Sequence, residues 1–140
     1  MTTWLRCWGP VCGYAGLIFY LSSQSHPEDN LPSFVGLLSD KVLHVAEYAV
    51  LGGLCYMAFR YGTGDRLRPW AGLLAVLLAS LYGLSDEIHQ SFVPFRESSG
   101  FDWLADGIGA TLGAVVSAAA LPRLTARWSA GSADAVRGRR

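Results

Sequence analysis

Charged residues are scarce in this chain of 140 residues, where Asp, Glu, Lys and Arg together make up 16%. An average soluble domain has about 25% charged residues. Hydrophobic residues make up 51% of the chain. A chain of this length would be enough for one compact soluble domain, so the distribution of the apolar residues decides its class. The shortage of charge favours a membrane protein.

Several motifs of metal, cofactor and nucleic-acid sites are also absent. The sequence has no phosphate-binding loop, no HExxH motif and no CxxC pair. Its three cysteines, Cys7, Cys12 and Cys55, indicate neither a disulfide framework nor a zinc site. The basic residues do not form a groove-reading surface. We therefore expect no nucleic-acid partner and assign no metal site; the cofactor is unknown, with a divalent cation as one option.

Four apolar stretches approach the roughly 20 residues that a helix needs to cross a bilayer. They cover residues 5–21, 42–60, 69–84 and 103–121. The third reaches spanning length only if its helix continues through Ser85, Asp86 and Glu87. Backbone groups inside a bilayer must pair within their own segment, so each stretch is predicted to be a helix. We predict an all-α membrane protein, a four-transmembrane-helix bundle over residues 1–121 with a basic, disordered cytoplasmic tail over residues 122–140.

Basic residues are distributed unequally between the two ends of these helices. With both termini in the cytoplasm, nine of the eleven Lys and Arg residues lie on the inner side. Only Lys41 and Arg96 lie on the outer side. The positive-inside rule favours this orientation, which we assign to a multi-pass membrane protein with both termini in the cytoplasm. Nine of the eleven acidic residues then lie at the outer ends of the helices.

Two pairs of glycines have the four-residue spacing that allows helices to approach closely. They are Gly9 with Gly13 and Gly109 with Gly113. We expect them to serve packing.

Polar residues follow one face of the second predicted helix from its outer end. Asp40, His44, Glu47 and Tyr48 are spaced i, i+4, i+7 and i+8, with Lys41 at the margin of this face. An ionised side chain inside a bilayer costs roughly 2.5–3.5 kcal/mol unless it is paired or hydrated. A lipid-facing stripe of this kind is therefore implausible.

The third and fourth helices bring further ionisable groups to the same depth. Asp86, Glu87 and Gln90 end the third helix, and Asp102 and Asp106 begin the fourth, one turn apart. We predict that these groups, the second helix and Arg96 surround one outward-opening polar cavity near the outer face.

These segments resemble a known family. The stretches DKVLHVAEYAVLG, residues 40–52, and LSDEIHQSFVPFRESSGFDWLADGIGATLG, residues 84–113, are similar to the VanZ-like family of small bacterial membrane proteins. The family pattern has Asp, His and Tyr in one helix, then Asp-Glu-x-x-Gln, a loop Arg, and Asp-x-x-x-Asn or Asp. Many members have Asn where this chain has Asp106. The resemblance implies a cell-envelope role, and the family's named member is associated with teicoplanin resistance.

We assign candidate roles to these residues on the basis of their chemistry. The candidate catalytic residues are His44, Asp86, Glu87 and Asp40. The candidate substrate-binding residues are Lys41, Tyr48, Gln90, Arg96, Asp102, Asp106 and Glu47. In this interpretation Asp40 or Asp86 orients the imidazole of His44 for proton transfer, while Lys41 and Arg96 bind an anionic head group.

Three classes of function are compatible with such a site. The first is handling or modification of an envelope lipid, for example a polyprenyl phosphate or another lipid-linked precursor. The second is a non-catalytic protein that binds or shields envelope precursors or glycopeptides. The third is a small proton-coupled transporter, for which four helices are few unless the chain forms a homo-oligomer. Membrane lipids are partners in every case.

The charge asymmetry generates a testable topology. We expect a C-terminal fusion to fluoresce with a cytoplasmic reporter and to be inactive with alkaline phosphatase, because the basic residues hold that end inside. Fusions within residues 22–40 and 88–101 should give phosphatase activity. Active phosphatase at the C-terminus would contradict the orientation.

Overall fold

The computed structural model describes residues 3–25, 40–96 and 98–137, with only the backbone described for residue 3 and for residues 121–137. This part of the chain is helical and contains no β-strand. Its helices are α1 (Thr3–Ser22), α2 (Asp40–Tyr61), α3 (Ala71–Gln90) and α4 (Gly100–Arg137), with a 3-10 turn at Arg68–Trp70. Most of the first predicted outer loop lies outside the described residues.

Three of the described helical segments are long and apolar enough to cross a membrane. They are Asp40–Tyr61, Arg68–Gln90 and Gly100–Ala120. The third predicted helix is thus confirmed at its greater length, since α3 continues past Glu87 to Gln90. α1 has sufficient length, with 20 residues, but is not among these segments. A fourth crossing by α1, and with it the position of the termini, stays a prediction.

α4 extends well beyond its apolar segment. Its backbone is helical through Pro122 to Arg137, where the sequence analysis expects a disordered tail. The segment is rich in alanine and arginine, both of which favour helix. The division into a membrane domain and a tail at residue 121 stays a prediction.

Local sequence explains where α3 and α4 begin. Pro69 lies in the 3-10 turn before α3, where its missing amide proton costs no helical hydrogen bond. Ser99 precedes α4, and its hydroxyl accepts a hydrogen bond from the amide of Phe101 at 3.2 Å. This is the usual arrangement of an N-cap. It fixes the start of α4, and therefore the positions of Asp102 and Asp106.

Glycines bring α2 and α4 into close contact, and this pair forms the most extensive helix interface in the described part of the chain. The Cα of Gly113 faces the carbonyl of Ala49, and that of Gly109 faces the carbonyl of Val45. Gly52 approaches Ala110 from the other helix. The expectation for Gly109 and Gly113 is confirmed. The expectation for Gly9 and Gly13 is wrong for the described part of the chain, where a side chain at either would meet nothing within 4 Å.

Small residues form much of the core, and large apolar residues are on the outside. Ala58, Ala75, Ala79 and Ala110 are completely buried. Leu81 is 63% exposed, and the other large exposed side chains are distributed over all four helices. This distribution is typical of helices that pack through small residues and present large apolar ones to lipid.

We predict that Gly113→Ala destabilises the fold, because its methyl group would overlap the backbone of Ala49. Overpacking of this kind typically costs about 1–3 kcal/mol, which outweighs the roughly 1 kcal/mol by which alanine favours helix over glycine. The measurement is the melting temperature of the detergent-solubilised protein. The control is Gly13→Ala on α1, which should not lower it. Equal melting temperatures for the two variants would contradict the close α2–α4 contact.

Candidate functional site

A cavity of about 310 Å³ lies between α1, α2 and α3. Its walls divide into two chemical types. One side is apolar and includes Ile18, Leu21, Leu43 and Val50. The other side is polar and consists of Ser22, Asp40, His44, Glu47, Asp86, Gln90 and Arg96. We call this space the amphipathic cavity.

A second cavity of about 310 Å³ is lined mostly by polar side chains. Its walls are Asp40, Lys41, Gln90, Phe95, Arg96, Ser99 and Asp102. We call it the polar cavity. Asp40, Gln90 and Arg96 line both spaces, so the two are neighbours separated by a few side chains.

His44 and Asp106 form a buried ion pair between α2 and α4. The Nδ1 atom of His44 is 2.8 Å from Oδ1 of Asp106, and their side chains are 8% and 1% exposed. Oδ2 of Asp40 is 3.9 Å from the other ring nitrogen, Nε2. Asp106 therefore orients the imidazole, whereas the sequence analysis assigns that task to Asp40 or Asp86. Asp106 lies one turn further along α4 than Asp102. Spacing within one helix could not show that this turn faces His44.

Two further carboxylates are held by partners of their own. Nζ of Lys41 is 2.6 Å from Oδ1 of Asp102. Asp86 accepts hydrogen bonds from the Ser22 hydroxyl at 2.6 Å and from the Gln90 amide at 3.0 Å. The Ser22 contact ties α1 to α3 at the edge of the amphipathic cavity. Lys41 donates to Asp102 in this way, and its binding of a head group stays a prediction.

Tyr48 and Glu87 lie in the protein interior next to this network. Tyr48 is completely buried, and its ring packs against Gly83, where a side chain would collide with both Tyr48 and Asp106. Glu87 is 4% exposed, and its Oε2 accepts a hydrogen bond from the Ser99 amide at 2.8 Å. Neither residue lines either of the two cavities. Both instead pack behind the residues that do.

Arg96 is the cation at the junction of the two cavities. Its Nε atom is buried and has no hydrogen-bond partner among the described residues, and its side chain forms no ion pair with them. Phe95, directly before it, has φ of 64°. A bulky residue in this left-handed region is strained. The strained backbone lies where the loop after α3 turns Arg96 towards the cavities.

The structure brings all eleven candidate residues into one region at the same end of α2, α3 and α4. His44, Asp86, Arg96 and Asp102 surround the two neighbouring cavities rather than separate outer faces. The predicted convergence is therefore observed, with two cavities in place of one. Their catalytic and binding roles, and the side of the membrane on which they lie, stay predictions.

Three further residues belong to this region but are not among those predicted from sequence: Ser22, Ser99 and Tyr14. Tyr14 lines the amphipathic cavity from α1. Ser22 falls in the predicted loop at residues 22–40. Its position directly after an apolar stretch is the signal that could have placed it in the helix. Ser99 is recognisable as a cap because it stands before Gly100 and the apolar start of α4. Tyr14 gave no signal in a single sequence.

Comparison with known proteins identifies a family. A family profile described as VanZ/LLP1 matches residues 11–121, which include every candidate site residue. No curated protein and no solved structure gives a significant match.

Proposed function

Because the chain belongs to the VanZ/LLP1 family, we propose that it is a membrane protein of the bacterial cell envelope that binds a lipid with an anionic head group. The head group would lie at Arg96, and the start of the lipid chain would enter the amphipathic cavity. In this proposal the protein is in the cytoplasmic membrane with the site near the outer face. A polyprenyl phosphate or another lipid-linked precursor fits this description. The observation that carries the proposal is the buried Nε of Arg96, which has no hydrogen-bond partner among the described residues.

A half-buried cation whose Nε has no hydrogen-bond partner among the described residues favours an anionic ligand. The guanidinium of Arg96 has five N–H donors, and its buried Nε has no hydrogen-bond partner among the described residues. Guanidinium binds phosphate through two parallel hydrogen bonds. Phosphate would therefore supply both the missing charge and the missing acceptors.

The division of the amphipathic cavity matches a lipid at its head-group boundary. Ile18, Leu21, Leu43 and Val50 would contact methylene or isoprenoid groups, while Arg96 and Gln90 contact the head group. A volume of about 310 Å³ is at the lower end of ligand sites. The cavity would hold the first part of a chain, and the remainder would stay in the bilayer.

Pairing reduces the repulsion that nearby acids would exert on an anion. Asp102 is bound by Lys41 and Asp106 by His44. Asp86 is solvated by a hydroxyl and an amide. The carboxylates of Asp40 and Glu47 face the amphipathic cavity without such partners, so Arg96 has to supply most of the attraction.

We predict that Arg96→Gln loses the bound anionic lipid. Hydrogen bonds to a charged group contribute about 1.5–3 kcal/mol, so lipid affinity should fall about ten- to a hundredfold. The measurement is mass spectrometry of lipids that remain with the protein after purification in detergent. The matched control is Arg66→Gln, at an exposed loop position. Equal lipid content in both variants and the unmodified protein would contradict the proposal.

Modification of the head group is a second candidate function, favoured by the geometry of His44. Asp106 is bonded to Nδ1, and Nε2 has no carboxylate closer than Asp40 at 3.9 Å. His44 also lines the cavity that Arg96 lines. An imidazole held in this way can transfer a proton to or from a bound substrate.

We predict that His44→Gln separates binding from chemistry. Glutamine keeps a donor for Asp106 but cannot titrate near neutral pH, so the variant should insert and retain lipid. In cells lacking the natural chain, it should fail to restore envelope-precursor levels and to reverse any loss of teicoplanin resistance if chemistry occurs.

The control for this experiment is His89→Gln. His89 lies against Phe19 of α1 and against Ser23, directly after α1, and does not line either cavity. It should behave as the unmodified protein. Full restoration by a well-expressed His44→Gln variant would exclude acid–base chemistry at His44 and leave binding alone.

A further inference from the structure

We propose that His44, Glu87 and Asp106 bind one divalent metal ion inside the bundle. These residues come from three different helices, α2, α3 and α4. Each can offer one ligand atom, and the three atoms lie within 4.8 Å of one another. All three side chains are buried. The inference does not rest on the proposed lipid ligand, because neither Glu87 nor Asp106 lines the cavities.

The separation of the first two ligands already suits a shared ion. Nδ1 of His44 and Oδ1 of Asp106 are 2.8 Å apart. Two ligands at roughly 2.1 Å from one metal and at right angles to each other are about 3 Å apart. A metal ion would thus replace the proton between these atoms with little movement of either helix.

Unpartnered carboxylate oxygens provide a second, independent observation. Oδ2 of Asp106 and Oε1 of Glu87 are buried and have no hydrogen-bond partner among the described residues. Asp106 is completely buried, and Glu87 is 4% exposed. Buried polar atoms without partners are rare because each costs about 1–3 kcal/mol. Coordination to a cation would satisfy these oxygens.

Charge balance favours a divalent ion. Two ionised carboxylates with a neutral imidazole carry two negative charges in a buried space. Lys41 does not compensate them, since it is bonded to Asp102 at 2.6 Å. Buried charges are found paired or bound to metals. One divalent ion would neutralise the group.

The ligand types indicate the class of ion. Two carboxylates and one imidazole suit a divalent first-row transition metal such as Mn²⁺, and the absence of thiolate disfavours soft ions. Asp40, His44 and Asp102 also lie close enough to form a group. That group is the weaker candidate, because Lys41 occupies Asp102 and Asp40 is exposed.

The test uses the full chain in detergent, treated with a chelator and titrated with Mn²⁺ while free Mn²⁺ is followed by electron paramagnetic resonance. We expect one bound ion per chain. Glu87→Gln should weaken binding at least about tenfold, since even outer-shell changes cost 10–100-fold. Asp40→Asn should leave affinity unchanged, which separates the two candidate groups. Arg96→Gln should also keep the ion, so that the metal and lipid proposals can fail separately.

A measurement on the unmodified protein guards against misfolded variants. Histidine labelled with ¹⁵N should give nitrogen coupling to bound Mn²⁺ from one imidazole. Absence of bound Mn²⁺, absence of this coupling, or an equal loss of affinity in Asp40→Asn would each overturn the proposal. A proton shared by the two carboxylates would then account for the cluster.

Discussion

The close contact between α2 and α4 is the constraint on which the rest of the polar region depends. Gly109 and Gly113 let the two backbones touch at Val45 and Ala49. At this separation His44 on α2 reaches Asp106 on α4 at 2.8 Å. A longer distance would leave a buried carboxylate without its counterion, which costs several kcal/mol. Glycine packing at the helix centres and charge pairing at their ends therefore stabilise the same interface.

α3 is fixed against this pair by the same network of buried groups. Gly83 leaves space for the Tyr48 ring and the Asp106 carboxylate. Glu87 of α3 accepts a hydrogen bond from the amide of Ser99, in the loop before α4. The indole of Trp103 donates to the carbonyl of Ser80 at 2.9 Å, which adds a contact between α3 and α4. The polar residues thus determine the register of three helices whose apolar faces alone would permit sliding.

Sequence pattern predicted the helices and the convergence of their polar ends but not the pairing within them. The i, i+4, i+7, i+8 spacing places Asp40, His44 and Tyr48 on one face whatever the neighbouring helix does. The partner of His44 depends on the rotation and height of α4, which the glycine contacts set. The crossing predicted for α1 rests on apolar length alone and stays a prediction, because α1 is not among the described segments long and apolar enough to span a membrane. The helical continuation after Pro122 was missed because composition alone suggested disorder.

Arg96 differs from most of the ionisable groups around it in how it is paired. Lys41, His44, Asp86, Asp102 and Asp106 each have a partner within the described structure. A bundle that needed polar groups only to fix its register would pair Arg96 in the same way. Instead its guanidinium lies where an apolar and a polar cavity meet, behind a strained Phe95. Strain of this kind persists only where the surrounding structure enforces it and is concentrated at ligand sites. A guanidinium held here at a cost in folding energy, with its buried Nε unpartnered in the described part of the chain, is better explained by a ligand than by stability.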